Sequence, residues 1–140
     1  MEVDNAQYGG CTFNLNNLSI RFRVAKITPK KIGQFVTLWQ RIGKSPAPFD
    51  LSDPVDFIVV SVRNENLLGQ FVFPKAVLSE KGILSEKGKG GKMGIRVYPP
   101  WDKTISLQAQ KTQKWQLKYF LEIPSDLPIN KFSLHTLYGF

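Results

Sequence analysis

Between Gly94 and Phe120 the chain reads GIRVYPPWDKTISLQAQKTQKWQLKYF, which joins aromatic and cationic residues more densely than any other stretch. Trp101 and Trp115 offer flat faces for base stacking or cation–π contact. Lys103, Lys111, Lys114 and Lys118 can pair with phosphates, and Gln110 and Gln113 carry the donor and acceptor that read base edges. That chemistry is recognition of a polyanion. The plainer alternative has Trp101 anchoring the start of a helix, Trp115 packing at the core margin, and the lysines solvated. A second group, Asp50, Asp53 and Asp56, brings carboxylates close in sequence, as metal-assisted hydrolysis requires. The same residues also serve as ordinary strand-start residues. GKGGKMG, Gly88 to Gly94, lacks both the strand-to-helix setting and the spacing of a P-loop, so it reads as a mobile basic loop.

Charge supports the first of these chemistries. The 140 residues carry a formal charge of +8, and the excess is concentrated. Arg21 to Lys44 holds seven basic residues and no acid, and Lys75 to Lys118 holds ten basic and three acidic. Two basic blocks in an otherwise acidic chain point to a polyanionic partner. Hydrophobic residues make up 42% and charged residues 21%, the balance of a globular protein. Cys11 and His135 are the only residues of their kinds, which excludes a disulfide framework, a Cys-rich metal site and a His-pair zinc site. The N-terminus has no secretory signal and no apolar run reaches a membrane span, so a cytoplasmic protein is expected.

A single domain over residues 1–140 is the expected organisation. Alternation on both sides of Asn16-Asn17 predicts an N-terminal hairpin between Cys11 and Ile27. Ile32, Phe35, Val36, Trp39 and Ile42 recur at helical spacing after Thr28-Pro29, predicting an amphipathic helix from Pro29 to Ile42. Val55 to Val62 is a continuous β-branched run, and Leu67 to Phe73 returns after a turn, so the two form a strand hairpin. The repeated pentad LSEKG within Leu78 to Gly94 is too short for a solenoid and reads as a flexible loop. Ile95 to Tyr98 is expected as a third strand. Ile105 to about Leu121 is expected as a helix, and the tail from Ile123 to Phe140 as one short element. The result is an α+β fold: an N-terminal hairpin and a central antiparallel meander of three strands flanked by two helices. GQFV occurs twice, at Gly33–Val36 and Gly69–Val72. The first copy falls in the expected helix with Gln34 towards solvent; the second falls in a strand with Gln70 and Val72 on one face.

A strand beginning with Asp, a turn, and a second strand carrying an acid or Gln followed by Lys resembles the PD-(D/E)XK restriction-endonuclease-like core. That resemblance puts Asp56 at the metal-binding Asp and Gln70 at the following acidic position. The expected lysine two residues on is Val72, and Lys75 lies beyond Pro74. Hard cations favour charged oxygen ligands, so magnesium, the cofactor such a nuclease needs, has a weak site in one carboxylate and an amide.

A longer resemblance covers nearly the whole chain. AKITPKKIGQFVTLW, PFDLSDPVDFIVV, LGQFVFPKAVL, KGIL, RVYPPWDK and QKTQKWQLKYF, in that order, resemble the MepB-like family of small bacterial proteins. The family signature falls on Lys30, Lys31, Gln70, Pro74, Lys75, Arg96, Tyr98, Trp101, Asp102, Lys103, Lys111, Gln113, Lys114 and Trp115. The resemblance implies a nucleic-acid-binding protein with a distant tie to restriction-endonuclease folds. The combined expectation is a DNA-binding protein of low sequence specificity, without cofactor or metal. Its contacts are expected from Lys30, Lys31, Lys75, Arg96, Trp101, Lys103, Lys111, Gln113, Lys114, Trp115 and Lys118. The alternatives are an active or degenerate nuclease on Asp56, Gln70 and Lys75, and a protein-interaction domain using the same aromatic surface.

Overall fold

The structure, a computed structural model, describes residues 11–15 and 17–123. Its elements in chain order begin with strands β1 (Cys11–Leu15), β2 (Leu18–Val24), β3 (Lys26–Ile27), β4 (Gln34–Thr37), β5 (Trp39–Ile42) and β6 (Ser45–Pro48). The long strands β7 (Phe57–Asn64) and β8 (Leu67–Pro74) follow, then the short helix α1 (Lys75–Glu80). Strands β9 (Ser85–Glu86), β10 (Lys89–Gly90) and β11 (Gly94–Val97), helix α2 (Leu107–Gln116), a 3-10 turn (Leu117–Tyr119) and strand β12 (Phe120–Glu122) complete it.

Five strands form one sheet in the order β1-β2-β7-β8-β12. All its neighbours are antiparallel except β2 and β7, which run parallel, with Ile20 opposite Phe57 and Val24 opposite Ser61. A parallel pair needs a crossover connection. Here the crossover contains β3 to β6, and β4 pairs with β3 and β11 to make a second, three-stranded sheet. β7 reads FIVVSVRN because it is covered on both faces: Ile58, Val60 and Val62 join Phe71 and Phe73 in the main core, while Val59 joins Ile20 and Val72 in a smaller cluster. Full burial of each such large apolar side chain stabilises the fold by roughly 1.5–3 kcal/mol. A chain of rings then ties the C-terminal elements to β8. Phe71 meets Phe120 at 5.0 Å, and Phe73 meets Trp115 at 5.5 Å and Tyr119 at 6.2 Å between centroids. Gly69 is required opposite β12, since a Cβ there would lie 2.2 Å from the Phe120 ring.

The fold is therefore β-rich, which corrects the expected α+β class with a three-stranded meander flanked by two helices. Pro29 to Ile42 forms no helix; it contains β4 and β5. The positions at helical spacing do not share a face. Val36 is buried, whereas Ile32, Phe35 and Ile42 are exposed, and Gln34, Val36 and Leu38 point inward at strand period. Gly33 enters β4 at φ +88°, which no right-handed helix accommodates. The expected third strand of the meander, β11, pairs with β4 in the second sheet instead. Its place beside β8 is taken by β12, which arises because the helix expected from Ile105 to about Leu121 spans only Leu107–Gln116 and the chain returns to extended backbone at Phe120. β1 and β2 pair about Asn17, which takes a left-handed φ of +68°. The expected element at Ile123–Phe140 and His135 lie outside the described residues, apart from the buried Ile123.

Both copies of GQFV are strands. Gln34 does not face solvent: it is buried, and its Nε2 donates to the Arg63 carbonyl at 3.1 Å. Gln70 is fully buried, and among the described residues neither its Oε1 nor its Nε2 has a hydrogen-bond partner. An unsatisfied buried amide costs about 1–3 kcal/mol, and an apolar isostere removes that cost. Gln70→Met is expected to raise the melting temperature by about 3 °C. Gln70→Glu is expected to destabilise by several kcal/mol, because a carboxylate there lacks both water and a partner. Thermal melts of the two variants followed by circular dichroism check this.

Candidate nucleic-acid interface

A groove of about 720 Å³ opens between β4, β11, α2 and the segment after α1. Five cations line it: Lys30 and Lys31 from the turn before β4, Lys81 after α1, Lys92 before β11, and Arg96 within β11. Its lining among the described residues contains no Asp or Glu. Phe35, Tyr98 and Trp115 supply rings, and Ile32, Ile83 and Ile105 apolar edges. Each basic block of the sequence thus contributes to one concave face, two cations from the first and three from the second.

Hydrogen bonds from three side chains hold the walls together. Gln116, buried in the last turn of α2, accepts from the Tyr98 N–H through Oε1 at 2.9 Å and donates Nε2 to the Arg96 carbonyl at 3.0 Å. A side-chain amide thereby occupies the edge of β11 as a neighbouring strand would. One turn earlier, Gln113 donates Nε2 to the carbonyls of Pro99 and Asp102, each at 2.9 Å, and accepts from the Thr104 hydroxyl. Arg96 staples the opposite wall: its Nη1 donates to Thr28 Oγ1 at 3.0 Å and to the carbonyls of Ile32 and Gly33 at 3.3 Å. This fixes the turn that presents Lys30 and Lys31. Gly33 is needed there a second time, because a Cβ would sit 2.8 Å from the Tyr98 ring. Ser106 caps α2 by accepting from the Ala109 N–H, and its first turn carries no acid.

Of the residues expected to bind, the groove collects Lys30, Lys31, Arg96 and Trp115. Lys103, Lys111, Lys114 and Lys118 are exposed but do not line it. On α2 the groove face runs through Gln108, Ala109, Thr112, Trp115 and Gln116, Lys111 and Lys114 occupy another side, and Lys118 lies in the 3-10 turn beyond. Lys75 is engaged, its Nζ donating to the Asp53 carbonyl at 2.7 Å. Trp101 packs edge-on against Phe120 at 5.9 Å with its indole nitrogen buried, and Gln113 is occupied by the 98–104 loop. Sequence reading missed Phe35, Lys81, Lys92 and Tyr98 as site residues. Membership of the basic blocks was the available signal for the two lysines, and Tyr98 appeared only as part of the family signature. Arg23, counted in the first block, is buried with its guanidinium 5.4 Å from the centre of the Phe49 ring.

The acids are organised for loop closure. Asp56 Oδ2 accepts from the Ser19 N–H at 2.7 Å, extending the β2–β7 ladder, and Asp53 Oδ2 accepts from the Asp50 N–H at 2.7 Å. Asp50 accepts from the Ser85 hydroxyl, from the hydroxyl and N–H of Ser52, and from the Gly88 N–H. These bonds, that of Ser85 foremost, hold its carboxyl well below the usual carboxylate range. Burial pushes Asp102 in the other direction, upward. Asp56 and Gln70 do not meet. Gln70 pairs with Ser61, five residues along β7 from Asp56, or roughly 16 Å at strand rise. Among the described residues no three of His, Cys, Asp and Glu are grouped to hold a metal ion, and no helix is long and apolar enough to cross a membrane.

Comparison with known proteins bears out the family resemblance. The family model described as MepB-like matches residues 2–122. Among solved structures, the crystal structure of MepB is 40% identical over 86% of this chain and 82% of that one, with a TM-score of 0.82. Among curated proteins none matches.

Two outcomes are expected from this geometry. Gln116→Leu leaves the Arg96 carbonyl and the Tyr98 N–H unpaired and is expected to cost about 3 kcal/mol, read by urea unfolding. Asp50 has a depressed folded pKa, so its contribution is present above the ordinary carboxylate range and is lost as pH falls below it. Asp50→Asn should therefore flatten the fall in stability between about pH 4 and pH 2, measured as unfolding midpoints across that range.

Proposed function

The chain belongs to the MepB-like family, and we propose that it is a nucleic-acid-binding protein that contacts DNA through the groove between β4, β11 and α2. The observation that carries the reading is the convergence of Lys30, Lys31, Lys81, Lys92 and Arg96, drawn from both basic blocks, on a groove whose lining among the described residues holds no acid. Cations gathered in a recess focus the field and raise the local concentration of a polyanion, and each phosphate they neutralise releases counterions. Lys30, Lys31, Lys81 and Lys92 act as phosphate contacts. Arg96 both adds charge and positions the Lys30–Lys31 turn through its three hydrogen bonds. Base-edge readers are few beside these cations, so sequence specificity is low. Lys103, Lys111, Lys114 and Lys118 add a diffuse attractive field from outside the groove. The reading implies a cytoplasmic protein that needs neither metal nor cofactor for binding.

Affinity for DNA is expected to fall steeply between low and moderate salt. Replacing Lys30, Lys31, Lys81 and Lys92 together by Gln should lower the slope of log K against log salt by about 3. The Lys111, Lys114 and Lys118 triple variant should lower it by less than half as much. Titrations by fluorescence anisotropy at four salt concentrations check this. Salt-insensitive binding, or a larger effect from the triple variant, would contradict the assignment.

A further inference from the structure

The groove carries more than charge. Phe35 is 42% exposed, although it sits on a strand whose neighbours are buried. Tyr98 and Trp115 reach the same recess, and neither ring is loose. Tyr98 lies against Gly33, and its backbone is held by Gln116. Trp115 is braced from behind by Phe73 at 5.5 Å, and on its own face carries the Lys81 ammonium 5.3 Å from the ring centre. A face that accepts a cation at that distance is an accessible, electron-rich π surface.

Duplex DNA has little use for such a surface. Its bases are stacked inside the helix, so it offers a protein phosphates and base edges rather than ring faces. A single strand offers phosphates and unstacked base planes together, and sites for it combine a cationic groove with aromatic platforms. The volume of about 720 Å³ lies within the range that encloses a small organic ligand. It suits a short run of about two nucleotides and is far too small for a double helix.

We infer that this groove takes single-stranded nucleic acid, with bases stacked on Phe35, Tyr98 and Trp115 and the intervening phosphates on Lys30, Lys31, Lys81 and Lys92. The inference rests on the nucleic-acid reading given above and names the form of the ligand. Lys81 then has two roles: it covers Trp115 and, when a base displaces it, turns to the adjoining phosphate. Ile32, Ile83 and Ile105 edge the recess and exclude water from the stacked bases.

The test compares a fluorescein-labelled 15-nucleotide oligothymidylate with a 15-base-pair duplex of mixed sequence, by anisotropy against the full chain in the same low-salt buffer. The single strand is expected to bind at least tenfold more tightly and to quench tryptophan fluorescence. Phe35→Ala, at an exposed position that leaves the core intact, should weaken single-strand binding roughly tenfold. The same variant should leave the weaker duplex binding within twofold, and its circular dichroism should match that of the parent. Equal or tighter duplex binding overturns the inference, as does an unaffected Phe35→Ala variant, while both leave the nucleic-acid reading standing. Competition by thymidine monophosphate at the concentration of the oligonucleotide would also overturn it, in favour of a free-nucleotide site. Binding of neither probe at micromolar protein rejects the underlying reading itself.

Discussion

The two hydrogen bonds between the Gln116 amide and the edge of β11 are the contact on which the site depends. β11 has β4 on one side only, and its other edge exposes backbone groups that must be satisfied. A primary amide presents an acceptor and a donor at the spacing of a peptide group, so one side chain does there what a further strand would do. Because Gln116 is carried by a helix, the same bonds fix α2 against the three-stranded sheet. Gln113 extends the clamp to the loop that joins them. The groove is the space left between a sheet and the helix that closes its edge.

This arrangement separates two uses of polar residues in the chain. The glutamines that look fit to read bases are engaged in building, since Gln110 and Gln113 donate to backbone carbonyls of the 99–105 loop, as Gln34 and Gln116 also bond to backbone groups. The aspartates that look fit to hold a metal are likewise consumed, each accepting backbone hydrogen bonds that close a loop or lengthen a ladder. The lysines that line the groove are, by contrast, exposed at the surface. Gln70 stands apart as a buried amide that bonds to no described group.

Parts of this were legible from the residues. The β7–β8 hairpin follows from an unbroken β-branched run and a turn, and the presence of α2 from a stretch without glycine or proline. The span Pro29–Ile42 was misread because Ile32, Phe35, Val36, Trp39 and Ile42 fit a helical stripe, while the strand pattern rests on Gln34 pointing inward. A buried glutamine is invisible as such until its partner, here the Arg63 carbonyl, is in place. The shared letters QFV did mark a shared extended conformation with glutamine and valine on one face, although Gly33 precedes its strand at a left-handed φ and Gly69 lies within β8. Three of the five groove cations, Lys30, Lys31 and Arg96, were named in advance because charge blocks survive as sequence features. Lys81 and Lys92 were read only as part of a flexible basic loop, since their meeting with Lys30 depends on the packing of segments more than fifty residues apart.

The parallel pairing of β2 with β7 has a consequence for how the molecule is acquired. The β7–β8 hairpin closes locally, but β2 can join β7 only after the residues between them have looped out, and that loop carries β4 and the Lys30–Lys31 turn. Contacts of such long sequence separation form late and slowly. The far wall of the groove arrives later still on a nascent chain, since α2 ends at Gln116. The groove, unlike the charge of its basic blocks, therefore exists only in the finished fold, once β2 has joined β7 and α2 has closed against β11.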